Sequence, residues 1–314
     1  PVVFKNLGMV IIDEQHRFGV EQRSKLWKKN VQAPHVLVMT ATPIPRTMAM
    51  TAYGDLDYSV MDELPPGRKP ITTVHRYETA RPSVMDFVKQ EIAKGRQAYF
   101  IYPLIEESSK MDFENLMKGY EEVKAFFPEP KFYISMVHGK QKAEVKDTNM
   151  MRFKKNDTQI MVATTVIEVG VDVPNASVMV MESAERFGLS QLHQLRGRVG
   201  RGSEQSFCIL LTGQKLTNDA RERLKIMCAT NDGFVIAEKD LEIRGPGDIE
   251  GTRQSGLLNF KLASIVQDKE LLETAKIISD QLLQDDPELS SAENLLLKNY
   301  LLSKKGKTVW SKVA

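Results

Sequence analysis

The amino-acid sequence predicts an α/β fold: a doubly wound parallel sheet with helices on its faces, followed by a helical extension. Two observations carry the prediction. Between residues 72 and 212, short apolar runs bounded by polar residues alternate with stretches long enough to cross back over a sheet. After Thr212 the strand-like runs stop, and helical patterns follow, interrupted by a glycine-rich loop over 244–256.

The elements follow in order. Gly8-Met9-Val10-Ile11-Ile12-Asp13 is a short apolar run ending in an acid, which suits a fully buried parallel strand. An amphipathic stretch over about 20–29 leads to a second apolar run, His35-Val36-Leu37-Val38-Met39-Thr40. Strand, helix and strand at this spacing form a βαβ unit. Such a unit alone is short of partner strands, so its edges are expected to be exposed. Pro43-Ile44-Pro45 opens another helix, where proline's missing N–H costs little. Leu64-Pro65-Pro66-Gly67-Arg68 reads as a linker. Beyond it, strands are expected at 72–76, 97–105, 131–138, 159–165, 177–182 and 206–212. Helices fill the gaps, for example 82–94 and 142–155.

Composition limits the function classes. The chain has 314 residues, enough for two compact units or one with extensions. A formal net charge of +2 excludes a uniformly basic coat, so any nucleic-acid contact must come from local patches. Cys208 and Cys228 lie in no paired motif, which points to two reduced thiols rather than a metal site or a disulfide framework. No apolar run approaches the roughly 20 residues of a membrane span. The chain opens at Pro1 almost directly on a strand and reads as a piece of a longer protein.

Four motifs carry chemistry. Asp13-Glu14-Gln15-His16 closes the first strand, where one acid can hold Mg²⁺ and the next can polarise an attacking water. An acidic strand end can equally be a solvated turn, but ligands of open α/β sheets bind at strand carboxyl ends. Thr40-Ala41-Thr42-Pro43 closes the neighbouring strand with small hydroxyl residues, able to bridge a nucleotide site to DNA. In 163–174, Thr164 and Thr165 offer hydroxyls and N–H groups to a DNA phosphate at the start of a short helix, and Asp172 can reach a ribose or a domain interface. In 191–202, Arg198 and Arg201 stand at a spacing that places both on one helix face. The glycines between them let another backbone come close. Two planar, permanently charged donors suit an arginine finger aimed at a γ-phosphate.

Together DEQH, TATP, TTVIEVGVDVP and QLHQLRGRVGRG resemble motifs II, III, V and VI of superfamily-two helicases. The runs DEQHRFGVEQR, TATPIPRT, YGDLD, ELPPGRKPI and AYFIYPLIEES resemble the RecG branch of that superfamily, the branched-DNA translocases of bacteria. The resemblance implies a remnant of a first RecA-like domain at 1–63 and a second RecA-like domain at 64–215. A translocation-motif hairpin and loop would occupy 216–265 and a helical tail 266–314. It implies ATP and Mg²⁺ as cofactors. Asp13, Glu14, Gln15, His16, Arg198 and Arg201 would be catalytic, with Asp13 holding Mg²⁺ through the nucleotide. Gly170, Asp172 and Gln194 would join the two arginines at the nucleotide. Thr40, Thr42, His138, Thr164, Thr165, Arg244, Arg253 and Gln254 would contact DNA or couple to it. His193 lies in motif VI, and His35 and His75 are structural or exposed. The implied protein is a monomeric, cytoplasmic motor on branched and duplex DNA, with single-stranded DNA-binding protein as a partner and no membrane. A transcription-repair coupling translocase, or a DNA-binding module that lost its motor, are the competing readings. An intact Glu14, Arg198 and Arg201 oppose the second.

The phosphate-cradling pattern G-x-x-x-x-G-K-[ST] does not occur in these residues. The purified 314-residue chain is therefore expected to show negligible ATP hydrolysis with or without DNA. A phosphate-release assay checks this, and robust DNA-stimulated turnover would overturn it.

Overall fold

The computed structural model describes residues 4–14, 34–40, 59–61, 63, 65–103, 109–165, 172–244 and 268–304. It divides into two compact units, 1–60 with 241–314, and 61–240.

In the first unit, β1 (Met9–Ile12) and β2 (His35–Val38) pair in parallel, with Ile12 opposite Val38. Asp13-Glu14 and Met39-Thr40 thus leave the sheet side by side, and Met39 N–H donates to the Ile12 carbonyl at 2.7 Å. Full burial, expected for these strands, is not found. Ile12 is buried, while Met9, Ile11 and Leu37 are exposed. A two-stranded sheet covers neither of its faces by itself. The expected helices over 20–29 and after Pro43 lie outside the described residues.

The second unit holds a six-stranded, all-parallel sheet. Its strands are β3 (Thr72–Tyr77), β4 (Gln97–Tyr102), β5 (Ile134–Val137), β6 (Ile160–Thr164), β7 (Ala176–Met181) and β8 (Phe207–Thr212). Their order is β3-β8-β7-β4-β6-β5, doubly wound as predicted. β4 ends at Tyr102 because Pro103 supplies no N–H to the ladder. β5 begins only at Ile134, since Phe132 N–H turns back to the Pro128 carbonyl.

Helices α1 (Arg81–Ala93), α2 (Ser109–Phe126), α3 (Ala143–Lys154), α4 (Leu189–Arg196), α5 (Asn218–Ala229) and α6 (Gly233–Arg244) connect and extend the sheet. Every residue of β4 is buried. Period-two alternation sends Ala98, Phe100 and Tyr102 to one face, where they join Val84, Met85 and Val88 of α1 and Leu116 and Val123 of α2. Tyr99, on the other face, meets Phe153 of α3. Thr217 caps α5 by accepting the Ala220 N–H, and Asp232 accepts the Phe234 N–H at the start of α6. Helices α7 (Lys269–Asp285) and α8 (Leu295–Lys304) follow in the first unit. Between them, Asp286 accepts from the Ser290 and Ser291 N–H groups and the Asn294 amide, which orders the turn.

Gly119, mid-way along α2, lies directly on the Tyr102 ring, so an added Cβ would collide with it. Helix propensity alone would make Gly119→Ala stabilising by about 1 kcal/mol. Overpacking at about 1–3 kcal/mol reverses the sign. The denaturant midpoint is expected to fall, and the loss should vanish in a Tyr102→Leu background. An alanine variant as stable as the parent would refute the close approach.

Candidate functional site

All six strands of the second unit run the same way, so its sheet has one carboxyl edge and one amino edge. The residues singled out in the sequence divide between them.

At the amino edge, Asp172 precedes β7 and the Arg198–Arg201 segment precedes β8. The two arginines do not share a helix face. Helix α4 ends at Arg196, and Gly197 caps it. Arg198 N–H donates to the Leu195 carbonyl and Val199 N–H to that of Arg196, a tight turn in place of another helical one. Gly200 then takes φ +76°, open to glycine at no steric cost, and a Cβ there would press Ile71 Cγ1 at 2.9 Å. The close backbone approach expected near these glycines occurs at Gly202, where a Cβ would stand 2.7 Å from the Pro174 carbonyl oxygen. Arg201 donates to the Gly197 carbonyl at 3.3 Å and to Asp172 Oδ1 at 3.4 Å. Both partners of that ion pair are partly solvated, so it orients the guanidinium more than it stabilises the fold. Gln194 stands half-buried on α4.

At the carboxyl edge, the register continues from Val137, Ala163 and Ile101 into one row: His138, Thr164 and Tyr102 on adjacent strands. Thr164 is 2% exposed and His138 9%. Thr164 Oγ1, His138 Nδ1 and the Tyr102 hydroxyl oxygen are buried without a hydrogen bond. Neighbouring strands stand about 4.8 Å apart, so one oxygen atom between His138 and Thr164 could reach both. Thr165, also buried, follows Thr164. His138 N–H donates to Gln141 Oε1 at 3.1 Å, and its ring meets Phe113 of α2 edge-on at 5.2 Å. Burial, then the Lys146 and Lys140 charges, holds the His138 ring below its ordinary pKa. Lys140 also lies 5.0 Å from the Phe113 ring centre. The edge is polar, cationic at one end and only partly satisfied from within.

Sequence reasoning did not single out Arg81, Glu182 or Arg196. Arg81 makes a two-pronged bond to Glu182 at 2.6 and 2.7 Å, in the same edge row beyond Tyr102. Burial pushes the Glu182 carboxyl up and Arg81 pulls it back. Burial opposes the Arg81 charge, but the carboxylate outweighs it and holds the guanidinium above its usual value. Nothing near Arg81 in sequence marks this partnership, which joins residues 101 positions apart. Arg196 is 2% exposed and donates to the Met227 and Thr230 carbonyls at 2.9 and 2.8 Å. It also contacts His193 Nδ1 at 3.1 Å, which suits a neutral ring protonated on Nε2. Its burial is hinted at by Leu189, Leu192 and Leu195, the inward stripe of the helix it ends.

In the other unit, Glu14 sits at φ +50° with its N–H on Asp13 Oδ1 at 2.8 Å, and Thr40 follows β2. Arg244 is the last residue of α6. Gln15, His16, Thr42, Gly170, Arg253 and Gln254 lie outside the described residues, as does the short helix expected after Thr165. Among the described residues no cluster of His, Cys, Asp and Glu could hold a metal, and no helix is long and apolar enough to cross a membrane.

Known proteins were compared with the chain. The profile described as "Helicase conserved C-terminal domain" matches 83–203, and that described as "ATP-dependent DNA helicase RecG, domain 3, C-terminal" matches 230–314. The chain is 54% identical to the ATP-dependent DNA helicase RecG of Synechocystis sp. over 299 residues, 95% of this chain and 35% of that protein. To the RecG of Bacillus subtilis it is 52% identical over 301 residues, 96% and 44% of the two chains. To that of Escherichia coli K12 it is 51% identical over 295 residues, 93% and 42%. The solved structure "RecG bound to three-way DNA junction" superposes with a TM-score of 0.66 at 45% identity, covering 87% of this chain and 34% of that one. The helicase MrfA bound to DNA, at 17% identity and TM-score 0.52 over 76% of this chain and 35% of that one, shares the fold. The chain thus spans between 35% and 44% of the length of these full-length relatives.

Burial, then the Arg196 charge, lowers the His193 pKa from 6.5 to about 4. The unfolded chain therefore binds this proton more tightly, so the stability contribution is complete above about pH 6.5 and is lost as pH falls towards 4. His193→Asn should flatten part of the drop in Tm between pH 7 and 4.5. Parallel Tm profiles for variant and parent would count against a neutral, buried His193.

Proposed function

Because the chain belongs to the RecG family of ATP-dependent DNA helicases, we propose that it supplies the second motor lobe, and the helices after it, of an enzyme that hydrolyses ATP and moves along duplex DNA. That enzyme remodels branched DNA, including stalled replication forks and Holliday junctions. The supporting observation is the placement of two chemically different residue sets on opposite edges of one rigid sheet.

In this reading the amino edge faces the nucleotide. Arg198 and Arg201 reach the γ-phosphate, where a guanidinium fork stabilises charge developing on the equatorial oxygens. The Arg201–Asp172 contact holds one of them ready, and Gly170 and Gln194 complete the nucleotide side. From the first unit, Asp13 holds Mg²⁺ through the nucleotide, Glu14 with Gln15 polarises the attacking water, and His16 senses the γ-phosphate. An acid pair at the end of a strand fits that role in the kind of oxygen donor it offers. Mg²⁺, when bound, neutralises phosphate charge.

The carboxyl edge faces DNA. His138, Thr164 and Thr165 take backbone phosphates, which position the duplex without reading its sequence. Thr40 and Thr42 couple the strand ends to the DNA, and Arg244, Arg253 and Gln254 contact the duplex beyond α6. The same reading makes the protein a bacterial cytoplasmic motor that acts as a monomer, with single-stranded DNA-binding protein as a partner.

The test uses the full-length protein. Arg198→Gln is expected to reduce DNA-stimulated phosphate release by about 10³-fold or more, the scale of an arginine finger. Binding to a three-way junction, followed by fluorescence anisotropy, should stay within a few-fold of the parent. Unchanged turnover would favour a module that binds DNA without driving it.

A further inference from the structure

Arg196 is the largest fully buried side chain of the second unit, yet its acceptors include no carboxylate. The guanidinium donates to the Met227 and Thr230 carbonyls, which close the C-terminal end of α5, and reaches Thr73 Oγ1 of β3 at 3.4 Å. The negative end of a helix dipole thus stands in for a counter-ion. Burial nonetheless lowers the Arg196 pKa below its usual value. If filling space were the only requirement, an apolar side chain of similar volume would serve as well or better. What an arginine adds is a rigid fork that fixes three elements at one point.

The position of that point matters. Arg196 ends α4, and the turn carrying Arg198 and Arg201 begins at the next residue. The Arg198 N–H bond to the Leu195 carbonyl and the Val199 N–H bond to the Arg196 carbonyl leave no slack between them. On the other side, Thr230 lies in the three-residue connection between α5 and α6. A second bond grips the far end of α4, where Ser190 Oγ meets Asp240 Oδ2 of α6 at 3.0 Å. Helix α4 is thereby held at both ends by the α5–α6 pair.

We propose that Arg196 is a positioning residue that ties the arginine turn to the α5–α6 pair, so that movement at the nucleotide is converted into movement of the DNA-side helices. The inference rests on the motor reading above and assigns the joint on which its coupling depends. Displacing the turn would pull on two carbonyl bonds at the α5–α6 junction instead of being absorbed in a flexible link.

The experiment compares full-length wild type with Arg196→Met, a near-isosteric change that removes every donor. Three quantities are read: the Tm, the kcat and KM for ATP with DNA present, and base pairs of junction unwound per phosphate released. Hydrolysis is expected to stay within about threefold while base pairs per phosphate fall about tenfold, the scale of a single coupling free energy. An unchanged ratio overturns the inference. So does a proportional fall of hydrolysis and unwinding, which would mean that Arg196 serves only the arginine turn or the fold. If Arg196→Met does not fold, Ser190→Ala tests the other end of the joint. Its ratio should fall about threefold, within the range that single contacts modulate coupling, and an unchanged ratio overturns the inference. A wild type without DNA-stimulated hydrolysis overturns the functional reading itself, whereas a working wild type with an unchanged variant ratio overturns only the joint.

Discussion

One constraint organises the second unit: every strand of its sheet points the same way. A loop that leaves a strand starts at the carboxyl edge, and one that enters a strand arrives at the amino edge. β4 spans six residues, so the sheet is about 17 Å deep at about 3.3 Å per residue. Thr165 and Asp172 belong to one sequence motif but stand at opposite edges. The seven steps between them reach at most about 25 Å when extended. A single short segment therefore has enough length to cross the sheet and little to spare. A ligand bound at either end acts on the same few residues, which is the physical content of linking a nucleotide to DNA.

The carboxyl edge shows a second consequence. Buried polar atoms without partners cost about 1–3 kcal/mol each in a folded protein, and most interiors avoid them. Here Thr164 Oγ1, His138 Nδ1 and the Tyr102 hydroxyl share one row. The nearest strong interaction, the Arg81–Glu182 pair, lies further along and satisfies itself. The row lies where the sheet meets α2, and Phe113 and Gly119 of that helix hold His138 and Tyr102 in place. Local stability is given up at an edge whose proposed partner is rich in oxygen atoms.

The parallel sheet was legible because its strands are short, apolar and separated by crossover-length stretches, a signal that survives without long-range information. Strand ends were less legible. Pro103 cut β4 short, and the turn at 128–132 delayed β5, both local backbone effects that a run of apolar residues conceals. The burial expected of β1 failed for another reason, since an apolar pattern reports what a strand could bury and not what covers it. In the site, residue types were legible and geometry was not. Arg198 and Arg201 have helical spacing, but Gly197 and Gly200 stop the helix before it reaches them. Arg81–Glu182 depends on a contact across 101 residues, which no local pattern encodes.

Three arginines within six residues show how far environment, more than residue type, decides a role. Arg196 ends a helix whose inward stripe is leucine, so its stem continues that stripe and its head is carried into the interior. Arg198 follows a glycine cap that releases the chain from the helical path, and it stays partly accessible. Arg201 lies past a left-handed glycine and leans on a solvated aspartate that holds it only weakly. A guanidinium meant to meet a ligand must be loosely held, since a strongly paired charge would have to be unpaired before it could act. A guanidinium meant to transmit force must be tightly held. Gly197 separates those requirements by ending the helix between them, which makes the identity of that residue as consequential as that of the arginines it divides.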